Sequence, residues 1–282
     1  MDVKPVPEIY TREYYQRLFE LEDRHWWYIG MREIAAALLS SQPGRRPYLR
    51  VLDAGCGTGS SMAWAKHFLG SRIVVGTDIA KEALELCRSR PGLHVVQASV
   101  LQLPFRSGSF DLIICQDVLQ HLPTDGSDVH VLTEMHRVLR PGGLLLVRAN
   151  SRLGMWQEAT AQDAGFQRYT LPEIVSGIRA AGFIAKRATY ANALPAFYAS
   201  LKRWVQFRFR RNHHLYEGLR IQDTASQHFW LNQFLLLVLK VEAFYLSAPH
   251  RRLVFGHSTF CLGLKPPDEA TAPSGEVDKV TP

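Results

Sequence analysis

Apolar residues fall in short continuous runs, separated by segments whose apolar positions recur at helical spacing. The runs are RVLDA (50–54), SRIVVGTDIA (71–80), LHVVQAS (93–99), FDLIICQ (110–116) and LLLVRAN (144–150). Continuous rather than alternating runs predict strands covered on both faces. Between them, Met62, Trp64, Ala65, Phe68 and Leu69 space a helix that ends at Gly70, and KEALELCRSR reads as a second helix. Val129, Leu132, Met135 and Leu139 space a third within 126–140, and LRPGG reads as a turn before the fifth strand. Thr170 and Glu173 form a capping box with Pro172 in the first turn, and that helix stops at Gly182. FIAKRATY follows as a sixth strand and LVFGHSTFCLGLK (253–265) as a seventh. The order predicts an α/β fold, a Rossmann-like doubly wound sheet of seven mostly parallel strands.

The flanks read differently. Residues 8–40 suggest two helices around EDRHWWYIG, and a helical insert lies between the sixth and seventh strands. The expected parts are a helical lid (1–46), a core (47–192), the insert (193–250), the last core strand (251–265) and a polar, Pro-rich, disordered tail (266–282). WLNQFLLLVLKVEAFYL (230–246) is interrupted by Asn232, Gln233, Lys240 and Glu242, short of the roughly 20 apolar residues a span requires. No apolar leader region occurs near the N-terminus, so the expectation is a soluble, cytoplasmic protein.

Composition changes this picture little. The 282 residues are 46% hydrophobic, ample for a core, and the net charge of +7 favours anionic partners. Cys56, Cys87, Cys115 and Cys261 form no C-x-x-C pair, so neither disulfides nor structural zinc are expected, and the adjacent His213 and His214 lack further ligand spacing.

The chemistry gathers at VLDAGCGTGS (51–60). Glycines 55, 57 and 59 follow the first strand, where open parallel sheets bind ligands. The spacing G-x-G-x-G is one residue tighter than the dinucleotide fingerprint G-x-G-x-x-G, and no hydride-transfer constellation appears. Asp53 sets a carboxylate beside the turn, which suits a cationic ligand better than a pyrophosphate. Asp78, at the end of the second strand, is placed to accept from a ribose diol. A ligand with a ribose and a cationic part fits S-adenosylmethionine.

VLDAGCGTG resembles the first motif of the class I S-adenosylmethionine-dependent methyltransferases, GTDIA their second, LPFRSGSFDLIICQDVLQHL their central motifs and VLRPGGLLLV their fifth-strand entry. The combination resembles the small-molecule branch called methyltransferase type 11 over roughly residues 45–150. RYTLPEIVSGIRAAGF resembles the next helix of that family, and HWWY and FGHSTFCLGLKP resemble a bacterial subgroup. The resemblance implies an antiparallel last strand. It also implies that Asp53, Gly55, Cys56, Gly57 and Gly59 cradle the methionine part and that Asp78 holds the ribose. Ile79 is then expected to pack on adenine, Ser99 to stand where the family often has an aspartate, Val100 to offer its N–H to the ring, and Gln116 to offer a carbonyl to the ammonium group.

His121 is the candidate general base, with local packing or substrate positioning as its alternative, and Asp117 is a candidate cap for the same short helix. Trp26, Trp27 and Tyr28 read either as a plug on the core or as a lid over the acceptor. Arg168 and Tyr169 either face the pocket or begin the helix that follows. LKRWVQFRFRRNHH (201–214) reads as a solvated basic face or as a peripheral contact with an anionic membrane. The expected function is methyl transfer to a small-molecule, lipid-linked or saccharide-linked acceptor, without a metal. A nucleic-acid acceptor is disfavoured because CQDVLQH lacks the Asn/Asp-Pro-Pro-aromatic stretch of base-amine methylation, and a non-catalytic cofactor binder remains the third reading.

Overall fold

Successive residues of the central strand face opposite layers. Leu112 and Ile114 lie in one hydrophobic cluster, and Ile113 and Cys115 in another. Both faces of the sheet are therefore covered at its centre, which is why FDLIICQ reads as an unbroken apolar run, whereas His94–Gln97, at the sheet edge, is mostly exposed, unlike the expectation for it. The structure is a computed structural model, and it describes residues 11–42, 48–152, 167–197 and 228–267.

Seven strands form the sheet: β1 Arg50–Ala54, β2 Ile73–Asp78, β3 His94–Gln97, β4 Phe110–Gln116, β5 Leu139–Asn150, β6 Ile184–Ala191 and β7 Ser258–Leu264. Their order is β3-β2-β1-β4-β5-β7-β6. The first five are parallel, and β7 runs antiparallel to both β5 and β6. The chain leaves β1 toward β2 and returns on its other side as β4, so a crevice opens past the ends of β1 and β4.

Helices α1 (Arg12–Leu21) and α2 (Trp26–Ser40) precede the sheet; α3 (Ser60–Phe68), α4 (Lys81–Arg88), α5 (Ser127–Val138) and α6 (Leu171–Ala180) connect strands; α7 (Phe229–Leu246) precedes β7. The α6 cap has the predicted reciprocal geometry: Thr170 Oγ1 accepts the Glu173 N–H, and the Glu173 carboxylate accepts the Thr170 N–H at 2.7 Å.

Two expectations need correction. The LRPGG segment is not a turn ahead of β5 but part of it: Leu139 already pairs with Phe110, and the register slips before Leu112. Gly142, in the left-handed region, absorbs the irregularity. The stretch read as too polar to span is an 18-residue helix that is long and apolar enough to cross a membrane by length and composition. Its polar residues have internal partners instead. Asn232 accepts the Trp26 N–H at 2.9 Å and donates to the Arg24 carbonyl at 3.1 Å, while Glu242 accepts the Asn192 and Ala193 N–H groups. Leu239, Ala243 and Leu246 join Ile34 and Leu38 of α2 in one cluster, so α7 shares the core of the sheet. A Cβ on Gly30 would meet Leu239 Cδ1 at 2.2 Å, so the two helices cross where α2 has no side chain. The basic segment 201–214, His213 and His214, and most of the predicted tail lie outside the described residues.

Candidate functional site

The turn after β1 stays tied to β2. Thr77 O accepts the N–H groups of Gly55 and Cys56 at 2.7 and 2.9 Å, and Asp78 Oδ2 accepts the Gly57 N–H at 2.8 Å. Asp78 Oδ1 takes the Ala80 N–H at 2.9 Å. Each glycine has its own reason to be one. A Cβ on Gly55 would strike Val118 Cγ2 at 2.2 Å, whereas one on Gly57 would meet nothing within 4 Å, because Gly57 faces open space. Gly59 caps α3 in the left-handed region, and its Cβ would meet Cys87 Sγ at 2.4 Å. Gly59 therefore packs against α4 and does not line the cavity, unlike the expectation for it.

That cavity, about 1290 Å³, lies at the crevice between β1 and β4. Asp53, Gly55, Cys56, Gly57, Asp78, Ile79, Ser99, Val100 and Gln116 line it, as do Trp26, Trp27, Tyr28, His121 and Arg168. Ile79, an apolar side chain, is 66% exposed there. The Ser99 hydroxyl accepts the Leu101 N–H at 3.2 Å, so part of its capacity closes its own turn. Tyr169 is buried outside the cavity. Its hydroxyl donates to Leu119 O at 3.1 Å and fastens the short helix Leu119–His121.

Among the described residues, three buried polar atoms on the lining lack a hydrogen-bond partner: Asp53 Oδ2, Gln116 Nε2 and Asn192 Oδ1. Each unsatisfied group costs about 1–3 kcal/mol, which a bound ligand offsets. Burial pushes the Asp53 carboxyl up to about 7, with Asp78 and Glu22 adding repulsion. A cation reaching it would restore the ionised form. A carboxylate for a cation, a second carboxylate beside an open glycine and an exposed Ile79 together fit S-adenosylmethionine. Among the described residues, no group of three or more His, Cys, Asp or Glu is arranged to hold a metal.

The head closes the other side. His25 caps α2, its Nδ1 accepting the Trp27 N–H at 3.3 Å, and the Trp27 and Tyr28 ring centroids lie 4.9 Å apart. Arg148 on β5 sits 4.7 Å over the Trp27 ring and pairs with Asp117, its Nε donating to Oδ1 at 3.2 Å. Asp117, in the left-handed region at φ 58°, is held by that pair and does not cap the short helix. The α1–α2 link is clamped onto the glycine turn. Glu22 accepts the Thr58 hydroxyl at 2.6 Å, Asp23 accepts the Ser60 hydroxyl at 2.9 Å, and Arg90 donates to both carboxylates. Sequence reasoning missed Glu22, Arg90, Arg148 and Asn192. None lies in a spaced motif, and their partners are distant in the chain.

His121 lines the cavity. Burial lowers its pKa below the usual 6.5, against the pull of the Asp117 carboxylate. The imidazole is thus neutral and able to accept a proton near pH 7.

Comparison with known proteins agrees with this geometry. Residues 52–147 match the family model described as a methyltransferase domain. The chain is 31% identical over 160 residues to phthiotriol/phenolphthiotriol dimycocerosates methyltransferase 1 of Mycobacterium ulcerans, covering 52% of this chain and 56% of that one. It is 36% identical over 104 residues to a probable tRNA methyltransferase 9B of Bos taurus, covering 36% and 22%. The chain spans about half or less of the length of these curated relatives. Among solved structures, a chain from the complex of the Haloferax volcanii Trm112 methyltransferase activator with a putative methyltransferase is 17% identical with a TM-score of 0.56, covering 94% of this chain and 100% of that one. Phosphoethanolamine N-methyltransferase 2 of Haemonchus contortus is also 17% identical, with a TM-score of 0.55 and coverage of 92% and 58%. At that identity the likeness concerns the fold. Residues 52–147 are thus similar to a methyltransferase domain, and the glycine turn, the two carboxylates and the strand order are consistent with the class I S-adenosylmethionine-dependent methyltransferases.

Proposed function

We propose that the chain transfers a methyl group from S-adenosylmethionine to a lipid-linked acceptor. The observation that carries this reading is the cavity's mixed lining, in which Asp53, Gly57 and Asp78 share one cavity with the large apolar side chains of Trp26, Trp27, Leu231 and Leu235 and with Pro195. The similarity to the dimycocerosates methyltransferase supports the same acceptor class.

S-adenosylmethionine, when bound, supplies a methyl group already activated on sulfur. The chain's own residues then position and exclude water. Asp78 holds the ribose hydroxyls, Ile79 and Val100 flank the base, and Asp53 with Gln116 holds the cationic end. Trp26, Trp27 and Tyr28 keep water from the acceptor. His121 accepts the acceptor's proton if the nucleophile carries one.

A tRNA acceptor is the second reading, favoured by the relatives named for it. The test is incubation with methyl-labelled S-adenosylmethionine and either a bacterial lipid extract or unmodified tRNA. Label in the organic phase is expected. Label in tRNA alone would replace the lipid reading.

A further inference from the structure

Helix α7 is apolar around its circumference, yet one side of it is packed. Asn232, Leu236, Leu239, Ala243 and Leu246 are buried. Trp230, Phe234, Leu237, Val241 and Phe244 repeat at the same four-and-three spacing on the opposite side. They are exposed, Trp230 by 83% and Phe244 by 77%. A helix apolar all round belongs in a core or against lipid, and a contiguous apolar face of this kind marks an interaction surface. Leu194, Phe197, Val254 and Phe255, in the segments after β6 and before β7, are exposed as well.

Charge decides what covers this face. Residues 174–197 and 228–267 hold seven Lys and Arg and a single acid, Glu242, whose carboxylate is buried on the Asn192 and Ala193 N–H groups. Lys240 on the helix and Arg251 and Arg252 beyond its end are exposed. The sequence of 198–227 adds six Lys and Arg against two acids, so the rest of the chain is net acidic although the whole is +7. A second copy would bring two faces of like charge together. An anionic lipid surface complements them, and Trp and Phe among Lys and Arg are the side chains that lie in a bilayer interface. Leu231 and Leu235, neighbours of Trp230 and Phe234, line the cavity, so the same helix walls the site and carries the exposed face.

We propose that the exposed face of α7 docks the protein on an anionic lipid bilayer, bringing the cavity to the surface that holds the acceptor. The docking takes its purpose from the lipid-linked reading and is tested without it. The full chain is floated with vesicles of phosphatidylcholine, or of phosphatidylcholine and phosphatidylglycerol in equal parts. Association with the anionic vesicles, weakened by salt and accompanied by a blue shift of tryptophan emission, is the expected result. The triple variant Trp230→Ser, Phe234→Ser, Phe244→Ser should lose at least about tenfold in vesicle affinity. It should bind S-adenosylhomocysteine as the parent does, which shows that it is folded. No association with either vesicle, or equal association of the variant, overturns the proposal. So does a homodimer in sedimentation velocity that the triple variant converts to monomer. Association lost in the variant, with no lipid ever methylated, upholds the docking and removes the acceptor reading alone.

Discussion

The Arg90 guanidinium donates to the Glu22 carboxylate at 2.6 Å, joining the end of α4 to the link between α1 and α2. The same guanidinium holds Asp23 at 2.8 Å and the Thr58 carbonyl at 2.9 Å. One cation thus ties the head to the glycine turn. Arg90→Ala leaves Glu22 buried without its cation, and a loss of about 1.5–3 kcal/mol is expected in urea unfolding. Adding Glu22→Gln should recover part of it, because a neutral amide needs no counter-charge. Additive losses in the double variant would show that the two residues are not coupled.

Asp78 is expected to act on the cofactor directly and through Gly57. Asp78→Ala removes the acceptor for the Gly57 N–H and for the ribose hydroxyls. Calorimetry should show roughly 10- to 100-fold weaker S-adenosylhomocysteine binding. An unchanged affinity would refute the ribose assignment.

Asp53 gives binding a pH dependence. Burial pushes its carboxyl up to about 7, so the neutral acid dominates below that pH. The ligand's positive charge favours the ionised form, so protons compete with it. Affinity for S-adenosylmethionine should rise as pH climbs through about 7 and level off above. Asp53→Asn should bind more weakly at pH 8 and lose that slope. A parent affinity that does not vary between about pH 6 and 8 is the result against it.

For His121, burial shifts the pKa the other way, below 6.5. If it serves as the base, kcat falls as pH drops through this lowered pKa, below which the ring is protonated. His121→Ala should lower kcat by about 10²- to 10⁴-fold, abolish the acid limb and leave cofactor affinity intact. A variant that keeps the limb assigns the proton to another group.

Gly30 sets the distance between α2 and α7. Gly30→Ala puts a methyl group into Leu239, an overpacking that should cost about 1–3 kcal/mol. Leu239→Ala on that background should be less damaging than Leu239→Ala alone. Thermal unfolding of the four proteins decides it.

What the sequence by itself determined is local in origin. The strands β1, β2, β3 and β4 follow from apolar runs and α6 from the Thr170–Glu173 box, and Asp53, Gly55, Gly57 and Asp78 take their places from the ends of β1 and β2 that those runs set. These are legible because backbone geometry and neighbours a few residues away dictate them. Tertiary structure decided the rest. Gly59 and Tyr169 belong to the packing because Cys87 and Leu119, their contacts, come from other elements. Asp117 and Arg148, 31 residues apart, form a pair that neither segment announces. Most of all, α7 is apolar on every side in sequence, so its pattern cannot say which side is core. Asn232 and Glu242 settle that: a polar side chain in an apolar helix turns toward whatever satisfies its hydrogen bonds, and those partners, Arg24, Trp26, Asn192 and Ala193, lie far away in the chain.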